Sequence, residues 1–275
     1  MPELPEVEHV VRALRPIITG RRIVKAELNL ERIAPEVSPS GFNILLRDKT
    51  ITSVNRRGKY ILFELDRSRL LTTHLRMTGK FVSLTTDDSL PPYAHVVFYL
   101  DNERRLVFCD MRQFGRMRLT AGKHELPQEL ATLAPEPLSD DFTEEYFLDT
   151  LARSRRSLKQ LLLDQTRVLG LGNIYAVEAL FLAGINPLKP ANRLAKPRAR
   201  KLYHAIRQVL HEAIEAGSTL QIDIEDGKAG YFGTTERFWR VYEREGEPCV
   251  NCGSKIKRIV HGGRSTYYCP RCQRR

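Results

Sequence analysis

Apolar positions along the chain change their period twice. Val7, Val10, Val11, Leu14 and Ile18 recur at the spacing of one buried helical face. Pro5 fits there because a first helical turn leaves that N–H unpaired anyway. Short apolar stretches rich in β-branched residues follow at 23–28, 51–54, 60–65, 70–75, 94–100 and 105–110. Turn signals separate them at intervals that suit antiparallel strands. Residues 1–125 are therefore expected to form a β-sandwich with a helix at its start. Pro127, Pro135 and Pro137 interrupt an acidic, weakly patterned stretch, read as a linker over 126–141. From Asp141 the period is helical, with helices expected at 142–151, 158–164, 173–183 and 197–216. The last of these carries Leu202, Ile206, Leu210 and Ile214 at four-residue spacing. Residues 217–240 read as a long loop, which in a compact enzyme is usually functional or disordered. Residues 241–275 form a basic tail with four cysteines, and the fold class is α+β.

Charge narrows the partners. The chain has 275 residues, enough for two domains, with 44 Lys plus Arg against 33 Asp plus Glu and a net charge of +11. A globular protein this basic favours polyanions, with nucleic acid first and an anionic membrane second. No apolar run approaches the roughly 18–20 residues of a spanning helix. The N-terminus lacks the basic start and apolar core of a signal peptide. The expected setting is cytoplasmic, or beside the nucleoid of a bacterium.

Cysteine spacing gives the strongest local signal. Cys249-Val250-Asn251-Cys252 is followed, after sixteen residues, by Cys269-Pro270-Arg271-Cys272. Paired C-x-x-C elements at this separation form a closed four-thiolate zinc site, which is structural because no position stays open. The alternative is two disulfides, which a reducing compartment disfavours. Between the pairs, residues 258–267 read as a hairpin with a glycine-rich tip, where Arg264 suits a phosphate fork or is plain surface charge. Cys109 has no partner and reads as a core thiol on a strand.

Other motifs are weaker alone. Gly170-Leu171-Gly172-Asn173 opens onto a helix whose N-terminus offers free N–H groups to an anion. Asn173 is placed to cap it and to reach a phosphate. Lys59 follows Arg56-Arg57-Gly58 just before a strand, where a plain solvent-facing lysine is the simpler reading. His74-Leu75-Arg76-Met77 and Asp110-Met111-Arg112-Gln113-Phe114 each place a large side chain near a glycine turn. Ordinary packing explains them, and so do wedges that enter a base stack.

The chain opens Met1-Pro2-Glu3-Leu4-Pro5-Glu6-Val7-Glu8. Removal of the initiator methionine would leave Pro2 with a free secondary amine. An α-amine titrates at about 7.7–8.0 against about 10.4 for lysine, so roughly a tenth or more is an active nucleophile at neutral pH. Glu3 and Glu6 share the same helix start, where acidic residues also simply favour the macrodipole.

Taken in order, these motifs resemble the bacterial formamidopyrimidine-DNA glycosylase family, bifunctional repair enzymes for oxidised purines. The resemblance covers essentially the whole chain. It rests on the opening octet, Arg57-Gly58-Lys59-Tyr60, the two wedge motifs, Gly170–Ala176, residues 226–232, Val241-Tyr242 and the cysteine ribbon. It implies an N-terminal catalytic sandwich, a helix–two-turn–helix domain over 142–240 and a zinc finger over 241–275. It also implies one structural Zn2+, damaged double-stranded DNA as partner, and a monomer. The catalytic set it implies is Pro2 as nucleophile, Glu3 as the acid that helps open the deoxyribose ring, Lys59 at the lesion phosphate, and Arg264. Glu6 supports them. His74, Met77, Arg112, Phe114, Lys159, Asn173 and Tyr242 belong to the DNA-binding set. Within it Met77, Arg112 and Phe114 fill the gap left by an extruded base, while Lys159 and Asn173, with Arg264, grip the backbone. Lys228, Tyr231 and Phe232 lie in the loop over that base.

The chain departs from the family pattern at two places. Gly233-Thr234-Thr235 follow Tyr231-Phe232 where glutamine is common, and Glu243 stands where a glycine is usual. Two other readings are kept open. One is an endonuclease VIII-like glycosylase for oxidised pyrimidines, against which Leu4 and the Met77, Arg112, Phe114 set speak. The other is a noncatalytic zinc-ribbon protein that binds damaged DNA, against which Pro2, Glu3 and Lys59 together speak.

Overall fold

The computed structural model describes residues 1–120, 128–216 and 239–274. The described part is mixed α+β. The first helix, α1, spans Leu4–Ile18 and buries Val7, Val10, Val11, Leu14 and Ile18, the face its spacing predicts. Strand β1 is Ile23–Leu28; a 3-10 turn at Glu31–Ile33 and helix α2, Pro39–Leu46, follow. Next come β2 (Ile51–Arg57), β3 (Tyr60–Leu65), β4 (Arg69–His74), β5 (Gly79–Thr85), β6 (Ala94–Leu100), β7 (Arg104–Asp110) and β8 (Arg116–Thr120). All pair antiparallel, in two four-stranded sheets of order β1-β6-β7-β5 and β2-β3-β4-β8.

The expected sandwich is present, and alternation along its strands explains the packing. Phe81, Val96, Phe98, Leu106 and Phe108 face a core shared with α1, α2, Ile61, Phe63 and Leu71. The intervening Val82, Leu84, Val97, Val107 and Cys109 form a second cluster on the opposite face of their sheet. Cys109 is buried in that cluster, and burial pushes its thiol up to about 11. β5, β8 and α2 are elements the sequence pattern did not show. Gly79 and Lys80 read as turn residues, and their strand exists because β7 lies alongside it.

Contacts divide the described residues into two compact units, the first holding 1–120 and 128–131 and the second 132–216 with 239–274. The stretch at 128–141 carries a short helix, α3 (Gln128–Ala131), and then a tethered course. Arg207, on the long helix at Lys196–Glu215, donates to the carbonyls of Pro137 and Ser139 in that course. The second unit contains α4 (Glu144–Ala152), α5 (Leu158–Leu162), α6 (Asn173–Leu182) and α7 (Lys196–Glu215). A hairpin of β9 (Lys257–His261) and β10 (Arg264–Tyr268) turns through Gly262 and Gly263 at φ +59° and +71°, as a tight hairpin turn requires. Val177 and Phe181 of α6 share a core with Val241, Cys249, Ile256 and Cys269, so the cysteine ribbon rests on the helical part of its unit. Among the described residues, no helix is long and apolar enough to cross a membrane.

Candidate active site

α1 begins with a reciprocal capping box. The Glu3 carboxylate accepts from the Glu6 backbone N–H, and the Glu6 carboxylate accepts from the Glu3 N–H at 2.9 Å. Both carboxylates are buried, as is Pro2. Burial lowers the amine of Met1 below its ordinary 8.0. Glu3 and Glu6 pull it back up, while Lys59 and Arg112 push it further down. Four of the residues expected at the site therefore share one electrostatic environment at the amino terminus. A chain starting at Pro2 would present its amine only one residue further in.

Lys59 reaches this place through a two-residue hairpin. Arg57 of β2 pairs with Tyr60 of β3, leaving Gly58 and Lys59 as the loop. Gly58 has φ +57° and Lys59 does not have a positive φ, the Gly-first arrangement of a hairpin turn that a side chain at 58 would strain. Lys59 itself is buried. His74, at the end of β4, stacks edge-on against Tyr60 at 4.7 Å. Its Nδ1 accepts the Arg76 N–H at 3.0 Å, which leaves the ring proton on Nε2. Burial, then Arg76 and Lys59, push its pKa down to about 3, so it is a neutral donor.

The two wedge motifs are built alike. Arg76 and Gln113 both take left-handed backbone, at φ 56° each, and each directly precedes a large apolar side chain, Met77 or Phe114. Met77 is 37% exposed and Phe114 39%. Asp110, fully buried, holds both turns. One of its oxygens accepts from the Gly115 N–H at 2.7 Å. The other accepts from the Arg112 N–H at 3.2 Å and from the Thr78 hydroxyl. A Cβ at Gly79 or Gly115 would meet the Phe108 ring at 2.8 or 2.6 Å, so both turns cross that ring closely. The Arg112 guanidinium lies 4.9 Å from the Phe114 ring centre. The sequence alone assigns Asp110 no role; its only signal there is an aspartate ending a strand before a turn.

In the second unit, Lys159, Asn173 and Arg264 meet around β10. Lys159, expected to grip a phosphate, is fully buried. Its Nζ donates to the Ser265 carbonyl at 2.9 Å and the Thr266 hydroxyl at 2.6 Å. Burial and then Arg264 lower its pKa to about 8. Asn173 does not cap α6, since Gly172 holds the N-cap position. The Asn173 amide donates to the same Ser265 carbonyl at 3.0 Å, and its carbonyl oxygen is buried without a hydrogen-bond partner in the structure. Arg264 is exposed. Tyr242 belongs to an aromatic run in which Tyr175 meets Trp239, Trp239 meets Tyr242, and Tyr242 meets Tyr267 at 5.7, 6.1 and 5.5 Å. Buried Glu178, which the sequence did not single out, accepts the backbone N–H groups of Arg240, Val241 and Tyr242 at 3.0, 2.9 and 3.0 Å. Lys228, Tyr231 and Phe232 lie outside the described residues.

The sulfurs of Cys249, Cys252, Cys269 and Cys272 lie within 4.8 Å of one another. Cys249 and Cys272 sulfurs are 3.8 Å apart, and those of Cys252 and Cys269 3.5 Å. A tetrahedron with Zn–S arms of about 2.3 Å has edges of about 3.8 Å, so the donor set fits zinc. Backbone N–H groups of Asn251 and Cys272 point at the sulfurs of Cys249 and Cys269, as thiolates require. Gln273 closes the tail, its side chain bonding the Cys269 N–H and the Ile185 carbonyl.

Three family models match this chain. They are the formamidopyrimidine-DNA glycosylase N-terminal domain at residues 1–117, its H2TH domain at 133–223, and a zinc finger found in FPG and IleRS at 246–275. A formamidopyrimidine-DNA glycosylase of Pelotomaculum thermopropionicum is 44% identical over 275 residues, covering 100% of this chain and 99% of the relative. The chain belongs to the formamidopyrimidine-DNA glycosylase family. The Lactococcus lactis enzyme bound to abasic-site DNA superposes with a TM-score of 0.90 at 36% identity, covering 99% of this chain and 100% of that one. The same enzyme bound to FAPY-dG DNA gives 0.89 at 35% identity with the same coverage. A structural zinc in the cysteine ribbon is consistent with both the zinc-finger match and the sulfur geometry.

Proposed function

We propose that this family member is a bifunctional DNA glycosylase and abasic-site lyase of base excision repair, removing 8-oxoguanine and formamidopyrimidines from double-stranded DNA. The observation that carries the reading is the buried helix start, where Glu3 and Glu6 close a capping box beside buried Pro2 and the charges of Lys59 and Arg112 act on the terminal amine. After loss of Met1, the neutral Pro2 amine attacks the anomeric carbon, and the bond to the damaged base breaks. Glu3 supplies a proton as the sugar ring opens, giving an iminium between Pro2 and the sugar. That cation acidifies the adjacent C–H bonds, so β- and then δ-elimination expel the two phosphates in turn. Lys59 and the Nε2–H of His74 hold the phosphate at the lesion.

A base within the duplex is out of reach, and extruding it costs a few kcal/mol. Met77 and Phe114, exposed and set on rigid turns, enter the vacated stack and offset part of that cost, with Arg112 beside them. Lys228, Tyr231 and Phe232 cover the extruded base. Arg264, Asn173 and Tyr242 act on the backbone side, and zinc holds the hairpin that carries Arg264. The protein works in the cytoplasm, beside the nucleoid. Borohydride reduction with abasic and 8-oxoguanine duplexes tests the reading. A covalent adduct on Pro2, absent from protein retaining Met1, is expected. Full activity of the Met1-bearing chain would overturn the mechanism.

A further inference from the structure

α1 carries a third carboxylate, Glu8, which faces β2 and not the amino terminus. One oxygen accepts from Arg12 Nε at 2.9 Å, one turn along the helix, and the other from Arg56 Nε at 3.0 Å. The two pairs differ in setting. The Arg12 side chain is 51% exposed, whereas those of Arg56 and Glu8 are 12% and 15% exposed. A half-solvated helix pair contributes little, while a largely desolvated guanidinium–carboxylate pair fixes geometry. Burial raises the Glu8 carboxyl, but hydrogen bonds from Arg56 and Arg12 outweigh it and keep the group below its ordinary value.

Arg56 has a second task. Its Nη1 donates to the carbonyl of Gly58 at 3.1 Å. That carbonyl belongs to the peptide joining Gly58 to Lys59, inside the two-residue loop. One guanidinium therefore ties α1, through Glu8, to the peptide plane from which Lys59 projects. The Lys59 side chain is buried, so its direction follows its backbone.

Resting on the role assigned to Lys59 above, we propose that Glu8 is a positioning residue for catalysis: through Arg56 it fixes the Gly58–Lys59 loop against the helix that carries Pro2 and Glu3. Charge alone does not meet this geometry. The bridge needs a planar fork at 56, one arm for the carboxylate and another for the carbonyl. Loss of the bridge releases the loop by a fraction of an ångström to an ångström, a displacement that costs up to about a hundredfold in rate when it separates reacting groups.

Single-turnover kinetics on an 8-oxoguanine duplex, with zinc-loaded protein starting at Pro2, test this. Glu8→Gln and Arg56→Lys should each slow the chemical step about tenfold or more, with affinity for an undamaged duplex changed less than about twofold. Arg12→Ala, which touches only the exposed side of Glu8, should keep the full rate. In a double-mutant cycle, Glu8→Gln should add nothing to the loss caused by Lys59→Ala, because both act through one amine. Melting curves of each variant separate misfolding from misplacement, and the cycle reads coupling even in a destabilised background. Additive losses in the cycle, or a full rate in Glu8→Gln while Lys59→Ala is impaired, overturn the positioning role alone. A full rate in Lys59→Ala overturns the assignment of Lys59 and this proposal with it.

Discussion

Lys159 donates from Nζ to the hydroxyl of Thr266 at 2.6 Å, with both residues fully buried. Family resemblance pointed this lysine toward DNA, but its amine joins α5 to the hairpin strand β10. Exposed cations at that place are Arg264, one residue before the carbonyl that Lys159 and Asn173 share, and Arg258, which donates to the Ser265 hydroxyl at 3.0 Å.

The buried lysine makes stability depend on pH. Its pKa is about 8 in the folded protein against an ordinary 10.5. Between those values the unfolded chain binds more protons, so stability rises with pH there and the penalty is fully present below about 8. Melting temperature of wild type relative to Lys159→Met should therefore rise from pH 8 to pH 10.5. A pH-independent difference would mean that the amine is not desolvated as the geometry implies.

Arg264→Ala should act on DNA without regard to damage. A phosphate contact carries no lesion information. Affinity for damaged and undamaged duplexes should fall by similar factors, and the slope of log affinity against log salt should become shallower by about one. Binding titrations at several salt concentrations check this. Loss confined to the damaged duplex would make Arg264 a reader of the base instead.

Cys269→Ser should release the metal. Cys269 and Cys249 share a core with Val177, Phe181 and Ile256, so the loss should loosen the α6 face together with the ribbon. The sandwich has its own core and should stay folded. Metal analysis, with hydrogen exchange resolved along the chain, measures both. Active wild-type protein with no zinc would refute the site.

Glu243 has φ +58°, in the left-handed region, at the position where the family usually has glycine. Glu243 thus carries backbone strain that a glycine would not. A non-glycine residue there costs about 1–2 kcal/mol, part of which glycine returns through its freer unfolded chain. Glu243→Gly should stabilise the protein by about 0.5–1 kcal/mol, read as a rise in chemical-denaturation midpoint. A fall would show that the Glu243 side chain has contacts outweighing the strain.

Much of the fold and part of the site lay open in the chain itself. The bounds of β1, β3 and β6 match the apolar stretches at 23–28, 60–65 and 94–100, because alternation and turn residues act within a few neighbours. The buried face of α1 follows from spacing alone, and the four-cysteine cluster from two short local motifs. The identity of α1 as carrier of Glu3 and Glu6 is equally local, since a capping box spans only four residues.

Tertiary structure decided what depends on distant partners. Strand β8 exists because Arg116–Thr120 pairs with β4, far back in the chain. The inward turn of Lys159 depends on Ser265 and Thr266, 106 and 107 residues away. Lys59 and Arg112 reach the amino terminus only once the two sheets have formed. No spacing rule encodes such approaches, because they arise from pairing register and from burial, which desolvates the groups and fixes which charges face one another.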